Sequence, residues 1–173
     1  SQRMESRLKV PKPVKLNAKL AIALADVGFK GGIETGHRRA RQLARCTYIP
    51  EEDARTMRAW FARHKHASYP KYKMAEDTWL GPLLRSVLRG RRTPRQAAKK
   101  ASELSLAMSQ WRGAIAWLLW GGDAALHWLT ASSGRELRGG GRKLCKRGVD
   151  AAKARFSKWP SAYASGHASQ VCL

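Results

Sequence analysis

The residues best suited to chemistry in this sequence are arginines, which occur in clusters. The first cluster falls on one face of a predicted basic helix, at spacings i, i+3 and i+7, and consists of Arg38, Arg41 and Arg45. The second lies in a segment, 85–100, with seven basic residues and no acid. From it we predict contacts by Arg91, Arg92 and Arg95. Because a guanidinium donates to two phosphate or carboxylate oxygens at once, both clusters predict polyanion binding.

A third basic segment lies near the end of the sequence. Residues 135–158 hold nine basic residues and two acids, and 143–156 are predicted to form a basic amphipathic helix. Its predicted contact residues are Lys143, Lys146 and Arg147. A helix start at Thr93, beside the second cluster, also predicts free backbone N–H groups for a phosphate.

The overall charge favours the same kind of partner. The 173 residues include 34 Lys and Arg against 12 Asp and Glu, so the difference, 34 − 12, is +22 at pH 7. Such a charge repels itself unless a polyanion neutralises it. Nucleic acid is the first partner to expect, an acidic protein lattice the second and an anionic membrane surface the third. With 43% hydrophobic residues, the chain can also bury a core.

Other functional classes find little support in the residue patterns. No apolar stretch approaches the ~20 residues of a membrane span, and three widely spaced cysteines indicate a reducing compartment rather than a disulfide framework. His64 and His66 with Glu76 and Asp77, or Cys145 with His167 and Cys172, lack a diagnostic metal spacing. We therefore predict no enzyme activity, no cofactor, no metal and no small-molecule substrate.

These clusters need a scaffold, and the spacing of the apolar residues predicts an all-α fold. The expected architecture is a small helical bundle with an extended N-terminal arm and a basic C-terminal helical appendix. The predicted divisions are an arm (1–14), a helical domain (15–131), a Gly/Ser-rich linker (132–141), and a basic helix with a tail (142–173). Within the domain, helices are predicted after Val14, over 35–45, 50–64 and 77–89, from Thr93 through Trp111, over 114–120, and from Asp123 to about Thr130; 66–74 is predicted to be a loop.

The tryptophans fit a core better than a base-stacking surface. Trp117, Trp120 and Trp128 lie among leucine and isoleucine residues. Trp79 and Trp159 have a proline and basic residues near them in the sequence and could stack on bases, although a core position is favoured for them as well.

Several blocks resemble known phage modules. Residues 38–44, 57–64 and 115–124, the last containing Trp120-Gly121-Gly122-Asp123-Ala124, resemble a small helical module of tailed-bacteriophage proteins that also occurs attached to head-morphogenesis proteins. In that module a short polar loop joins the Arg-His block to the Trp-Gly-Gly-Asp block, whereas residues 69–110 intervene here. Residues 154–172, with Trp159-Pro160-Ser161-Ala162-Tyr163-Ala164, are similar to a second short phage motif that is also found in larger DNA viruses.

The resemblance implies a virion or genome-associated role, with localisation in the virion and in the host cytoplasm during assembly. It brings no catalytic residues. Trp117 and Trp120 are expected to pack the core, Gly121 and Gly122 to turn the chain, and Asp123 to cap the next helix. The leading hypothesis is a non-enzymatic structural protein that binds packaged DNA or acidic capsid, portal or tail surfaces. The alternatives are a regulatory nucleic-acid-binding protein made during infection and a metal-dependent nuclease.

Overall fold

The computed structural model describes the backbone of residues 6–139 and the side chains of residues 6–132. Its helices are α1 (Lys12–Asp26), α2 (Glu34–Arg45), α3 (Glu51–His64), α4 (Tyr69–Ala75), α5 (Gly81–Leu88), α6 (Pro94–Ser102), α7 (Arg112–Leu119) and α8 (Gly122–Gly139). Two short strands, β1 (Arg7–Lys9) and β2 (Tyr48–Pro50), pair antiparallel with Leu8 opposite Ile49. The described chain is mainly helical, as predicted, and adds a small sheet that the sequence did not indicate.

Helix α1 is central because it is apolar on more than one side. It packs against α2, α5, α6, α7 and α8. Its fully buried apolar side chains are Val14, Ala18, Leu20, Ala21 and Leu24. The helical spacing of Leu16, Leu20, Leu24 and Val27 predicts one buried stripe on this helix. That prediction is only partly correct, since Leu16 and Val27 are half-buried.

Two helices carry a proline in their first turn and form where an extended arm and a loop were predicted. Helix α1 follows Pro11 and carries Pro13 in its first turn, so the arm predicted over 1–14 gives way to helix at Lys12. The loop predicted over 66–74 is also wrong, because it contains α4, with Pro70 in the first turn. A first-turn proline is well tolerated, since its missing N–H would have no helical partner there. Burial of Tyr69 and Tyr72 then anchors the short helix.

The predicted helices on either side of Gly90 differ in extent from the observed ones. The helix expected over 77–89 consists of a π-helical turn, Glu76–Leu80, followed by α5. The predicted cap at Thr93 is confirmed, but α6 ends at Ser102. The chain then continues irregularly to a 3₁₀ turn, Met108–Trp111. One helix from Thr93 through Trp111 predicts that Leu104, Met108 and Trp111 share an inward stripe with Ala97 and Ala101, and this prediction is wrong because α6 ends before Leu104.

The last described helix begins and ends differently from its prediction. Gly121 and Gly122 turn the chain as expected, with φ values of 103° and 68° that favour glycine. Asp123 lies inside the first turn of α8 rather than before it. The helix continues to Gly139 through most of the linker predicted over 132–141, since interior glycine costs a helix only about 1 kcal/mol. The predicted appendix, 142–173, lies outside the described residues.

Candidate polyanion-binding site

The turn between α5 and α6 gathers four arginines around one cavity, which we call the arginine corner: Arg85, Arg89, Arg91 and Arg92. Together with Pro82 and Ser86 they line a cavity of about 410 Å³. Arg85 and Arg89 are one helical turn apart, and Gly90, with φ of 74°, reverses the chain so that the next two arginines face the same space. Within the described chain, no acidic side chain lines this cavity.

Ser86 holds this corner in shape. Its carbonyl oxygen accepts the backbone N–H of Arg91 at 2.9 Å and that of Arg92 at 3.4 Å. Its hydroxyl oxygen accepts a hydrogen bond from Nη1 of Arg92 at 3.1 Å. Arg85, Arg89 and Arg91 are exposed, and none of the four forms an ion pair with another described residue. Their positive charge is therefore left for an external anion.

Of the three contact residues predicted in 85–100, two line the cavity and one does not. The structure brings Arg91 and Arg92 together in the cavity but leaves Arg95 outside it, exposed on the first turn of α6. The sequence also indicates that Arg85 and Arg89 belong to a basic corner around Gly90, although they are not among the predicted contact residues; both line the cavity. The expected free N–H groups at the start of α6 are partly consumed. Thr93 N donates to Gln96 Oε1 at 2.8 Å, and Gln96 N donates to Thr93 Oγ1 at 3.1 Å.

The second arginine surface is the α2 face: Arg38, Arg41 and Arg45. All three side chains are exposed. Arg41 forms a 2.8 Å ion pair with Glu34, whereas Arg38 and Arg45 have no ion pair among the described residues. The α2 face therefore offers two uncompensated charges where the arginine corner offers four.

Arg39, between these residues, belongs to the scaffold. Its guanidinium lies 5.4 Å from the ring centre of Trp120 and 3.5 Å from a carboxylate oxygen of Asp53. Its Nη1 also donates to Gln42 at 2.6 Å, while Gln42 donates to Asp53 at 2.7 Å. This network orients α2 against α3 and leaves the α2 face pointing outward.

The Trp-Gly-Gly-Asp block builds the core beneath these surfaces. Trp117 is fully buried and Trp120 nearly so, as predicted. The indole N–H of Trp117 donates to Oδ1 of Asp123 at 2.8 Å, so Asp123 serves as a buried acceptor in addition to its place in α8. Burial raises the pKa of Asp123 from 3.8 to about 7. Burial, with Asp123 as a second cause, raises the pKa of Tyr69 to about 12.

The structure also places Trp79, which was considered for base stacking, and His64, which was considered for metal binding. Trp79 is buried and stacked on Phe29, with ring centres 5.1 Å apart, so its expected core position is confirmed. His64 stacks on Trp60 at 4.3 Å. Among described residues there is no group of three His, Cys, Asp or Glu side chains arranged to hold a metal. Glu76 and Asp77 instead pair with Lys73 at 3.0 and 3.4 Å.

Several predicted positions lie outside the described residues: Lys143, Lys146, Arg147, Cys145, Trp159, His167 and Cys172. Within the described part, no helix is long and apolar enough to cross a membrane. No protein-family model, curated protein or solved structure matches this chain.

Proposed function

We propose that this chain is a non-enzymatic, virion-associated phage structural protein that binds packaged DNA through the phosphate backbone. The arginine corner is the main contact and the α2 face a second one. The observation that carries the proposal is the cavity of four arginines without an acidic partner. The phage assignment itself is supported by the sequence resemblance alone.

Phosphate is the ligand best matched to this arrangement. Four guanidinium groups around one space repel each other, and an anion among them relieves that repulsion. Each guanidinium can donate to two phosphate oxygens. Contacts of this kind position a protein on DNA without reading its sequence, so binding is expected to be sequence-tolerant and steeply dependent on salt.

A change of three charges at the arginine corner tests the proposal. We expect Arg85→Gln, Arg89→Gln and Arg91→Gln, combined, to lower the slope of log affinity against log salt by about 0.9 for each phosphate that the variant no longer neutralises. Affinity for random-sequence duplex DNA should fall at least about tenfold near 0.1 M salt. Arg92 is left intact because its guanidinium donates a hydrogen bond to the Ser86 hydroxyl, and loss of that bond would alter the turn as well as the charge. The measurement is fluorescence anisotropy of a labelled duplex over a series of NaCl concentrations.

The matched control removes the same charge elsewhere. Lys9, Lys12 and Lys19 are exposed on β1 and α1, and their combined replacement by glutamine should leave the salt slope unchanged. Equal losses in both triple variants would show that only net charge matters and would overturn the assignment to the arginine corner. Tight binding to one duplex sequence would favour the regulatory alternative, and metal-dependent cleavage of the duplex would favour the nuclease.

A further inference from the structure

An apolar cleft lies directly beside the arginine corner. Its volume is about 640 Å³, within the range of ligand and side-chain pockets. The lining consists of Thr78, Trp79, Pro82, Leu83, Arg92, Lys100, Leu104, Leu106 and Trp111. Pro82 and Arg92 line both this cleft and the corner cavity, so the two spaces adjoin.

The cleft presents apolar surface that the described fold does not cover. Leu104 is 43% exposed and lies in the irregular segment that follows the end of α6 at Ser102. Isolated exposed leucines are common. Here, however, the exposed leucine is one wall of a concave apolar site, which is the geometry that receives a side chain from a partner.

The walls favour an aliphatic or aromatic side chain over a nucleobase. The ring of Trp79 is already packed between Phe29 and Trp111, whose centres lie 5.1 and 5.8 Å away, so it is not free to stack on a base. The indole N–H groups of both tryptophans are buried, without an acceptor among the described residues, and are not exposed on the wall of the cleft. Within the described part of the chain, the lining offers polar side-chain groups only at Thr78, Arg92 and Lys100. Any polar edge group of a base that these three residues do not reach would stay unpaired, at a cost in free energy, whereas an apolar side chain has no such edges.

The charged groups at the cleft determine which charge the occupant carries. Arg92 and Lys100 line the cleft, and Arg85, Arg89 and Arg91 line the adjoining cavity. No acid among the described residues lines either space. The complementary ligand therefore carries a large apolar group with negative charge close to it.

We propose that the cleft docks an acidic segment of a partner protein. One aliphatic or aromatic side chain of that segment enters between Leu104 and Leu83, and the flanking carboxylates contact Arg92 and Lys100. Because Arg92 lines both the cleft and the cavity of the arginine corner, the carboxylates of the segment and the phosphates of DNA compete for it. This interaction goes beyond DNA binding and requires only the cleft and its charges.

A pair of peptides tests the docking with the full-length protein. The first is a short fluorescent peptide in which glutamates flank one central phenylalanine, and the second carries glycine in place of the phenylalanine. We expect the phenylalanine peptide to bind at least about tenfold more tightly at moderate salt, because one anchor side chain dominates such interfaces. Equal affinities would show attraction by charge alone and would overturn the proposal.

Two leucine variants assign that preference to the cleft. Leu104→Ser should abolish the preference for phenylalanine, whereas Leu88→Ser should retain it, because Leu88 is comparably exposed at 42% but lies outside the cleft. Neither change should alter affinity for duplex DNA, so the docking and the DNA proposal can fail independently. Retained preference in Leu104→Ser would overturn the proposal. The proposal would also be overturned if Leu104→Ser weakened only the binding of a single-stranded oligothymidylate, because that result would assign the cleft to nucleic acid.

Discussion

Replacement of Trp117 by alanine is expected to lower the free energy of unfolding by about 3–5 kcal/mol. Trp117 is fully buried. Its ring centre lies 4.8 Å from that of Phe61, 5.3 Å from that of Tyr69 and 5.9 Å from that of Trp60. Alanine would leave a cavity where α3, α4 and α7 meet. The surrounding aromatic rings belong to separate helices and cannot all move inward to fill it. For a domain with about 5–15 kcal/mol of stability, such a decrease is a large fraction of the total.

A second cost accompanies the cavity. Asp123 loses the indole N–H that donates to its carboxyl oxygen, and an unsatisfied buried polar group typically costs about 1–3 kcal/mol. Urea unfolding followed by far-ultraviolet circular dichroism measures the combined decrease. Trp111→Ala serves as the control, because Trp111 is half-buried and its indole N–H has no acceptor among described residues. A decrease in Trp117→Ala no larger than in Trp111→Ala would contradict the central role of Trp117.

Much of the helical scaffold could be predicted because local patterns and tertiary packing agree there. The acids after Pro50 indicate the start of α3, and α3 begins at Glu51. The glycine pair before Asp123 indicates a turn, and both glycines have positive φ. In such segments the local signals that begin or end a helix agree with the packing of that helix in the core. The spacing of residues along the sequence is therefore enough to predict the structure.

The prediction fails where one residue type suits two structures. Pro70 fits both a loop and the first turn of a helix, and burial of Tyr69 and Tyr72 decides for α4. Apolar spacing allows one helix from Thr93 to Trp111, yet the chain leaves α6 at Ser102. These outcomes depend on packing between residues distant in sequence, which spacing does not contain.

The candidate site was only partly visible for the same reason. Charge density along 85–100 indicates a basic surface. The sequence also groups these basic residues around Gly90. Which of them share one cavity depends on the reversal of the chain there: Arg85, Arg89, Arg91 and Arg92 do, and Arg95 does not. The apolar cleft could not be predicted, because its walls come from the π-helical turn, α5, α6 and the irregular segment before α7. A space enclosed by several elements has no signature in any one of them.

The contribution of Asp123 to the stability of the protein should fall as pH rises from about 4 to about 7. Burial raises the pKa of this carboxyl from 3.8 to about 7, and the nearby carboxylate of Glu76 raises it further, while the Trp117 N–H and the Lys73 ammonium act in the opposite direction. Between the two pKa values the unfolded chain has released the proton and the folded chain still holds it. Each pH unit in that window costs up to about 1.4 kcal/mol, or roughly 4 kcal/mol in total. This exceeds the ~0.3–1 kcal/mol by which the N-terminus of a helix favours a carboxylate.

Asp123→Asn isolates this contribution from every other titrating group. Asparagine has the shape of the protonated acid and keeps an oxygen that can accept the Trp117 N–H. We expect the variant and the wild type to have similar free energies of unfolding near pH 4. By pH 8 the variant should be the more stable, by roughly 4 kcal/mol. Paired urea titrations across this pH range measure the difference. If it stays constant with pH, Asp123 ionises normally in the folded protein; if it grows between about pH 4 and pH 7 and then levels off, the buried carboxyl carries the pH dependence.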